Sequence, residues 1–352
     1  MGLLLTKKNL LGLDIGSSSI KAAIVESSRK GFFLKRFLIQ ETPDSSIMSG
    51  EVVDSIALSG AVAEVASAAK LKKKPVAAAL WGSGVIVKKI SIPRMEEALI
   101  KEQIQWEAEH YIPFPISEIN LDYHLLSHSP SGETMDILLV AAKRTFISKE
   151  IEVVENGGLQ LNVLDVAGFA LANCFQANYG RLPGETLALL DIGGGVTNFV
   201  VIDNGEVVFC RDLPIGGMNY TTEIQKQMGM SAREAETLKL SASAGQPAPE
   251  GLHSILEAQN DALVEEIGAG MDFFAATGAG NAISRIFVTG GCMFVPGLVA
   301  TINKAFNIPC EPFDPFLNVK WDRKIMTDEY ISQIRPFAAL AIGLAMRKEQ
   351  KK

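Results

Sequence analysis

Two short stretches, far apart in the chain, place an aspartate at the end of an apolar run and just before a glycine turn. The first holds Asp14 and Gly16, and the second holds Asp191 and Gly193. Glycine lets the backbone approach a ligand closely, and the N–H groups of such a turn form a site for an anion. An aspartate repels phosphate, so it acts there through Mg²⁺ or the waters of that ion. One such turn is more often structural, but two in matched contexts predict a clamp around a polyphosphate.

Three further segments have patterns that suit a nucleotide. A glycine pair at 216–217 precedes a predicted helix, and another pair at 290–291 follows the predicted strand 285–289. A strand that runs into glycines and then into the start of a helix brings the backbone against the flat base of a nucleotide. Glu236 and Lys239 lie three apart, so they share one helix face. The alternative for that last pair is an ordinary surface ion pair.

The elements that position these residues follow from the hydrophobic pattern. Each Asp-Ile-Gly segment has the pattern of strand, turn and strand, which predicts two similar halves that face each other. Strands that alternate with helices favour α/β architecture with mixed sheets. We predict a hairpin in which strands 76–80 and 85–90 pair around the turn 81–84. We also predict helices at 54–70, 96–110, 144–156, 167–179 and 336–347, strands at 119–127, 135–142 and 159–165, and a mainly helical segment at 221–280 with an exposed loop at 241–251.

Composition excludes several classes of protein. A chain of 352 residues is too long for one ordinary core, so two domains or four subdomains are expected. The net charge of −7 argues against nucleic acid as the main partner. No apolar run reaches the roughly 18–20 residues of a membrane-spanning helix. The four cysteines have no metal-like spacing, which indicates buried thiols rather than a zinc site or disulfides.

The order of these motifs resembles that of the actin/Hsp70/sugar-kinase ATPase superfamily over almost the whole chain. The resemblance implies that ATP or ADP binds between two lobes and that Asp14 and Asp191 hold hydrated Mg²⁺. The residues that it assigns to the nucleotide are Gly16, Ser17, Ser18, Lys21, Gly193, Gly194, Gly195, Thr197, Gly216, Gly217, Glu236, Lys239, Gly290 and Gly291. In this assignment the two hairpin turns hold the phosphates, Glu236 and Lys239 face the ribose, and the last two glycines pack on adenine.

Residues 106–123 indicate the branch of that superfamily. This segment, which begins WEAEHYIPFP and ends DY, resembles a stretch typical of the PilM family, FtsA-related proteins of type IV pilus assembly; residues 138–144 and 271–274 match as well. The resemblance implies an actin/Hsp70-like ATPase fold with two similar lobes, mixed sheets and an FtsA-type inserted subdomain in the first lobe. The implied division is 1–92 and 144–186 (subdomain 1A), 93–143 (inserted subdomain 1C), 187–220 and 285–352 (subdomain 2A) and 221–284 (subdomain 2B).

The prolines of this segment form a stiff apolar corner. Pro113 and Pro115 stop the preceding helix near residue 110, and Tyr111, Ile112 and Phe114 follow its end. From the residues alone, this corner either fastens the inserted module to its neighbour or docks a peptide. The family resemblance implies the second, with the cytoplasmic N-terminal tail of the membrane protein PilN as the peptide.

The function implied is that of a cytoplasmic ATP-binding adaptor of type IV pilus assembly, held at the inner face of the inner membrane through PilN. Membrane contact is then indirect, and contacts with motor-associated proteins or a homo-oligomeric ring are compatible with this role. Two alternatives share the fold: a filament-forming ATPase related to FtsA and, less favoured, a small-molecule kinase. A kinase needs a catalytic base and a polar pocket in the first half, and the sequence shows no convincing candidates.

Asp165 is the residue on which ATP hydrolysis would depend. Active actin-like relatives place a carboxylate or amide just after the strand that here is 161–165, and only Asp165 can take that role. The alternative is a buried structural carboxylate. Because its neighbours are apolar, we expect hydrolysis to be slow or absent.

Overall fold

The secondary structure was taken from a computed structural model, which describes residues 10–29, 31–68, 70–71, 73–126 and 132–348. Its strands are β1 Leu11–Ile15, β2 Ser19–Ser28, β3 Gly31–Glu41, β4 Ile47–Met48, β5 Glu51–Val52, β6 Pro75–Leu80, β7 Val85–Pro93, β8 Ile119–Leu125, β9 Thr134–Lys143, β10 Gln160–Val166, β11 Thr186–Ile192, β12 Thr197–Asp203, β13 Glu206–Leu213, β14 Arg285–Thr289, β15 Cys310–Pro312 and β16 Val319–Trp321. Its α-helices are α1 Ser55–Ala68, α2 Glu97–Tyr111, α3 Arg144–Asn156, α4 Ala167–Tyr179, α5 Gly217–Met228, α6 Ala232–Ser243, α7 Leu252–Thr277, α8 Leu298–Phe306, α9 Asp328–Ile334 and α10 Ala339–Ala345. Residues 1–9 of the predicted segment 1–92 and residues 349–352 of the predicted segment 285–352 lie outside the described residues. So does Ser127, the last residue of the predicted strand 119–127.

Two mixed sheets form the centres of two lobes. The first lobe has six strands in the order β10-β6-β1-β2-β3-β16, and the second has five in the order β13-β12-β11-β14-β15. In each, an antiparallel hairpin (β1–β2 or β11–β12) is joined to a parallel strand, β6 or β14. The same local order in both lobes confirms the prediction of two similar halves.

Helices α4 and α10 lie between the two sheets. Apolar residues of α4 and α10 share one core with Ala23 and Val25 of the first sheet and with Leu187 and Leu189 of the second. Helices α1 and α3 cover the other face of the first sheet, and α5, α7 and α8 contribute to the core on the other face of the second. The layer between the sheets therefore contacts both lobes at once.

Helix α10 contacts its neighbours backbone to backbone. All seven of its residues are buried. A Cβ atom added to Gly343 would lie 1.8 Å from the carbonyl oxygen of Ala170 on α4, and one added to Gly12 of β1 would lie 2.0 Å from that of Ala341. Both distances are far inside van der Waals contact, so only glycine fits at these positions and α10 is fixed against both β1 and α4.

The inserted module consists of a three-stranded sheet, in the order β7-β9-β8, with α2 packed on one face. Its first strand shows that the predicted hairpin of strands 76–80 and 85–90 is wrong. Strand β6 pairs with β1 and β10 in the first lobe, whereas β7 pairs with β9 in the module. The turn between them, at Trp81–Gly84 in the sequence, is where the chain passes from one sheet to another. The sheet of the module thus begins at Val85, while the subdomain boundaries stay a prediction.

The module also contacts the second lobe. Leu126 and Leu138 are buried in the core of that lobe. The ammonium group of Lys89, paired with Asp136 at 2.9 Å, donates to the carbonyl oxygen of Ala279 at 3.0 Å. The module therefore bridges the two lobes instead of projecting from the first one alone.

Two predictions from composition concern thiols and membrane spans. The four cysteines are free; Cys174, Cys210 and Cys292 are buried as predicted, whereas Cys310 is only half-buried. Within the residues described here, no helix is both long and apolar enough to cross a membrane.

The contact between α10 and α4 predicts a strong effect of one methyl group. We expect Gly343→Ala to lower the free energy of unfolding by roughly 1–3 kcal/mol or more, because its Cβ must displace backbone. Gly60→Ala is the matched control, since nothing lies within 4 Å of a Cβ at this exposed position in α1. This control should raise stability by about 0.5–1 kcal/mol. Urea unfolding of both variants measures the difference, and equal stabilities would contradict the close packing.

Candidate functional site

The turns of the two Asp-Ile-Gly hairpins face each other across a cleft between the lobes. A Cβ added to Gly194 would lie 1.8 Å from Oγ of Ser18, and one added to Gly195 would lie 3.1 Å from Oγ of Ser17. A side chain at residue 194 would therefore force the side chain of Ser18 to move. Residues of both turns line the same cavity, as the sequence predicts.

The two aspartates lie at the bottom of this cleft. Asp14 pairs with Lys21, its cross-strand neighbour in the hairpin, at 3.1 Å. Asp191 has Asn198 in the equivalent cross-strand position. Burial, and then the negative charge of Asp14, raises the pKa of Asp191 to about 7, although Lys21 acts in the opposite direction. Carboxylates that face a common cavity and repel each other in this way suit a bound cation.

The chemistry of these groups fits Mg²⁺ held partly by a ligand. In the described ranges, no group of three or more His, Cys, Asp or Glu side chains could hold a metal ion by itself. Mg²⁺ is usually bound through one or two carboxylates, with water and substrate phosphates completing its shell. Asp14 and Asp191 meet that requirement.

The start of α5 fixes the second hairpin turn. The N–H groups of Gly217 and Met218 donate to the carbonyl oxygens of Gly193 and Gly194 at 2.9 and 2.7 Å. A Cβ on Gly216 would lie 2.6 Å from the carbonyl oxygen of Gly193, so glycine is required there for close approach. Gly217 lines the cleft, whereas Gly216 supports the turn from outside it.

Glu236 and Lys239 both line the cleft, but their environments differ. The Lys239 ammonium group is buried and contacts the Gly217 carbonyl at 2.9 Å, the Thr221 hydroxyl at 3.0 Å and the Glu236 carboxylate at 2.7 Å. These three partners occupy its three protons, so Lys239 fixes α6 to α5. The side chain of Glu236 is 44% exposed and accepts a hydrogen bond from Thr221. The alternative of an ordinary surface ion pair does not describe the buried lysine.

The far end of the cleft is apolar. Gly290 has φ +93°, and a Cβ there would lie 2.4 Å from the carbonyl oxygen of Ile192, so the strand–glycine turn needs glycine. A Cβ on Gly291 would lie 2.8 Å from the ring of Phe337. Phe337 and Leu340, the latter on α10, line the cleft beside these glycines. Backbone and apolar side chains here provide a surface for a flat ring.

Two other predicted nucleotide residues, besides Gly216, lie outside the lining of the cleft. Thr197 is completely buried and its hydroxyl donates to the carbonyl oxygen of Ile215 at 2.8 Å. Its side chain points into the lobe because it begins β12, beyond the turn. Gly195 lies in the turn itself without forming part of the cavity wall.

The structure does not bring Asp165 to the phosphate loops. It lies within β10, the edge strand of the first sheet, and pairs with Arg347 at 3.0 Å. Burial raises the pKa of Asp165, while Arg347 and the N–H of Val166 act in the opposite direction. Asp165 lines a second cavity, and its environment agrees with the alternative of a buried structural carboxylate.

That second cavity, which we call the groove, has a volume of about 660 Å³ and lies between the inserted module and α4. One wall is the sheet face that carries Asn120, Asp122 and His124 of β8 with Leu138, Val140 and Ala142 of β9. The opposite wall is α4, with Phe169, Ala172, Asn173 and Gln176, and the turn between β12 and β13 closes one side. The groove therefore contacts the first lobe, the second lobe and the module, and its size is within the range of ligand pockets, about 300–1,000 Å³.

The predicted docking corner lies elsewhere on the module. Ile112 is 5% exposed and belongs to the module's own core, so burial makes it inaccessible to a partner. The ring of Tyr111 has the Lys88 ammonium 4.7 Å from its centroid, and that of Phe114 has Lys143 at 4.3 Å. None of these three residues lines the groove. These contacts lie within the module itself, whereas the alternative from the sequence was a corner that fastens the module to its neighbour; docking at this corner stays a prediction.

Next to residues that line the cleft is a contact between lobes that the sequence did not suggest. The carboxylate of Asp212 in the second lobe accepts hydrogen bonds from the N–H of Gly82 at 2.5 Å and from Asn198 at 2.6 Å. Trp81, beside Gly82, lines the cleft and donates from its indole to the carbonyl oxygen of Ile15 at 3.0 Å. The prediction of a simple hairpin turn at Trp81 concealed this role.

Glu150 is a buried acid near the cleft that sequence reasoning also missed. It lies on α3 with 6% exposure, and its Oε1 has no hydrogen-bond partner among the described residues. Burial first, and then the charge of Asp14, raises the pKa of Glu150 to about 8. The only sequence feature that could have indicated the burial of Glu150 was its position on the buried face of α3.

This raised pKa predicts a pH-dependent stability. The native state holds the proton of Glu150 more tightly than the unfolded chain does, so stability falls as pH rises from the ordinary pKa of 4.5 to about 8 and is constant above that. Glu150→Gln, which stays neutral, should raise the free energy of unfolding near pH 9 by roughly 1–3 kcal/mol over the native chain. Thermal unfolding across this pH range measures the effect, with the exposed Glu155→Gln on the same helix as control. Parallel curves for the native chain and Glu150→Gln would contradict it.

Known proteins resemble this chain in sequence. A family model described as type IV pilus assembly protein PilM matches residues 12–349. Cell division protein FtsA of Streptococcus pneumoniae (serotype 2, strain D39) is 22% identical over 383 aligned positions, which cover 94% of this chain and 82% of that protein. FtsA of Bacillus subtilis (strain 168) is 31% identical over 105 residues, which cover 29% of this chain and only 22% of that protein's length.

Solved structures resemble it in fold. A PilM–PilN type IV pilus biogenesis complex matches with a TM-score of 0.87 and 28% identity, over 98% of this chain and 100% of that one. Ethanolamine utilization protein EutJ from Carboxydothermus hydrogenoformans matches with a TM-score of 0.58 and 16% identity, over 97% and 90% of the two chains. Together with the sequence relatives, these matches confirm the predicted actin-like ATPase fold.

Proposed function

The chain belongs to the PilM family of type IV pilus assembly proteins, and we propose that it is an ATP-binding adaptor that docks the N-terminal cytoplasmic tail of a PilN protein. The observation that supports this most is the groove at the junction of both lobes and the inserted module, in a chain so similar to the PilM of a PilM–PilN complex. We place the protein in the cytoplasm, at the inner face of the inner membrane, through PilN.

We propose that ATP or ADP occupies the cleft. Residues of the two glycine turns line this cleft and would hold the phosphates, and Asp14 and Asp191 would hold Mg²⁺. Bound Mg²⁺ supplies the positive charge that offsets the phosphates and both carboxylates. We assign Glu236 to a ribose hydroxyl and the apolar end near Phe337 to the base, because both line the cleft.

We assign the cleft a role in binding instead of rapid hydrolysis. Its described lining contains the carboxylates of Asp14, Asp191 and Glu236, and Asp165 lies in the groove. With the first two assigned to Mg²⁺ and the third to the ribose, no carboxylate of this lining remains to orient an attacking water, and the amide of Asn198, which also lines the cleft, donates to Asp212. Binding alone stabilises the closed arrangement of the lobes by about 4 kcal/mol when free ATP is a thousand times its dissociation constant.

We further propose that nucleotide controls the shape of the groove through α10. Phe337 and Leu340 line the cleft, and Arg347, just past the end of α10, lines the groove with its partner Asp165. The helix between them is fixed against α4, which forms one wall of the groove. A displacement of α10 by nucleotide would therefore move two sides of the docking site together.

Titration of a synthetic PilN N-terminal peptide into the protein with Mg-ATP tests the adaptor proposal. We expect micromolar or tighter binding. Asn173→Trp, which fills the groove from α4, should weaken it at least about tenfold, or about 1.4 kcal/mol. The control variants Tyr111→Ala and Phe114→Ala remove the predicted corner and should change the affinity by less than about threefold, roughly 0.6 kcal/mol.

The two sets of variants separate the outcomes. Loss of binding in the corner variants, with Asn173→Trp unaffected, would place the docking site at residues 111–114 and contradict the groove. No binding of the unmodified peptide, with ATP still bound, would contradict the adaptor role itself.

A further inference from the structure

Strand β8 forms an open edge of the module's sheet, and this edge faces the groove. Within the described chain, β8 pairs only with β9. The five consecutive residues 120–124 all line the groove, although the side chains of Leu121 and Tyr123 pack on the opposite, α2-covered side of the sheet. What Leu121 and Tyr123 present to the groove is therefore their backbone.

The ladder between β8 and β9 shows which backbone groups point outward. In an antiparallel pair, residues that exchange hydrogen bonds alternate with residues that do not. The N–H of Leu126 donates to the carbonyl oxygen of Asp136 at 3.0 Å, and the register continues in steps of one to Ile119 opposite Lys143. The even-numbered residues of β8 thus bond to β9, while Leu121, Tyr123 and Leu125 direct their N–H and C=O groups away from it.

Two contacts at this edge agree with that assignment. The carbonyl oxygen of Ile119 accepts a hydrogen bond from Nε of Arg144 at 3.1 Å, and the N–H of Tyr123 donates to Oδ1 of Asp122 at 2.8 Å. Side chains thus occupy two of the outward groups. No described residue pairs with the N–H and C=O of Leu121 or with the C=O of Tyr123. Exposed edge groups of this kind are a template for another strand.

We propose that the docked tail is an extended strand that adds to the edge of β8 at Leu121 and Tyr123, which rests on the proposed function of the groove. Main-chain hydrogen bonds then supply affinity, and alternate side chains of the tail face the groove. There they meet Asn173 and Gln176 of α4 and the Asp165–Arg347 pair. The partner is consequently a segment with no proline at its pairing positions, recognised through every second residue.

A scan of backbone N-methylation along the synthetic PilN peptide tests the strand pairing. Each N-methyl group removes one N–H donor and leaves the side chain unchanged. We expect losses of about tenfold at alternate positions, the size of one net hydrogen bond, and less than about threefold at the positions between them. Tolerance at every position, or losses confined to adjacent residues without alternation, would overturn the proposal while leaving the adaptor function intact.

Hydrogen exchange of the full-length protein gives a second readout that does not alter either chain. On addition of the unmodified peptide, the amide of Leu121 should exchange at least about tenfold more slowly, because it gains a partner. The amides of Asn120 and Asp122, already bonded to β9, should change little and serve as internal controls. Unchanged exchange at Leu121 with the peptide bound would overturn the proposal, and a peptide that does not bind at all would overturn both this proposal and the adaptor function.

Discussion

The approach of the two hairpin turns at the bottom of the cleft is the contact on which the rest of the structure depends. A methyl group at residue 194 would lie 1.8 Å from Oγ of Ser18 and would force that side chain to move. This contact brings Asp14 and Asp191, one from each lobe, to the same cavity, where burial and then the charge of Asp14 raise the pKa of Asp191. Lys21 acts in the opposite direction, and two carboxylates that face one cavity in this way suit a bound cation. The contact between the lobes and the chemistry of the cleft thus both result from the approach of the two hairpin turns.

The remaining architecture connects this cleft to the groove. Helix α10 lies between the two sheets, contacts the cleft near one end and the groove near the other, and leaves no space against β1 or α4. The inserted module adds a second connection, because Leu126 and Leu138 pack into the core of the second lobe. A change in the angle between the lobes therefore alters both the spacing of the groove walls and the position of the β8 edge.

The sequence allowed prediction of features that depend on local pattern. The bounds of α3 and α4 were predicted to the residue, and most residues of the phosphate turns line one cleft, since glycine and aspartate have strong local requirements.

The predicted hairpin of strands 76–80 and 85–90 was wrong because strand pairing is non-local. The strand at residues 76–80 is buried from Val76 onward and suits the sheet interior, where β1 and β10 flank it. The contact of Asp212 with Gly82 and the burial of Glu150 likewise depend on residues distant in the chain. Ile112 shows the same limit, because an apolar residue after a helix has the same local pattern in a core and on a docking surface.

The measurement that tests the account most directly is a thermodynamic cycle for nucleotide and peptide. Calorimetry would give the affinity of the PilN peptide with and without Mg-ATP, and that of Mg-ATP with and without the peptide. The account predicts that each ligand strengthens binding of the other by the same factor, as linkage requires, and that Asp191→Asn removes the effect of Mg-ATP on the peptide. Equal peptide affinities with and without bound nucleotide would contradict the connection between the cleft and the groove.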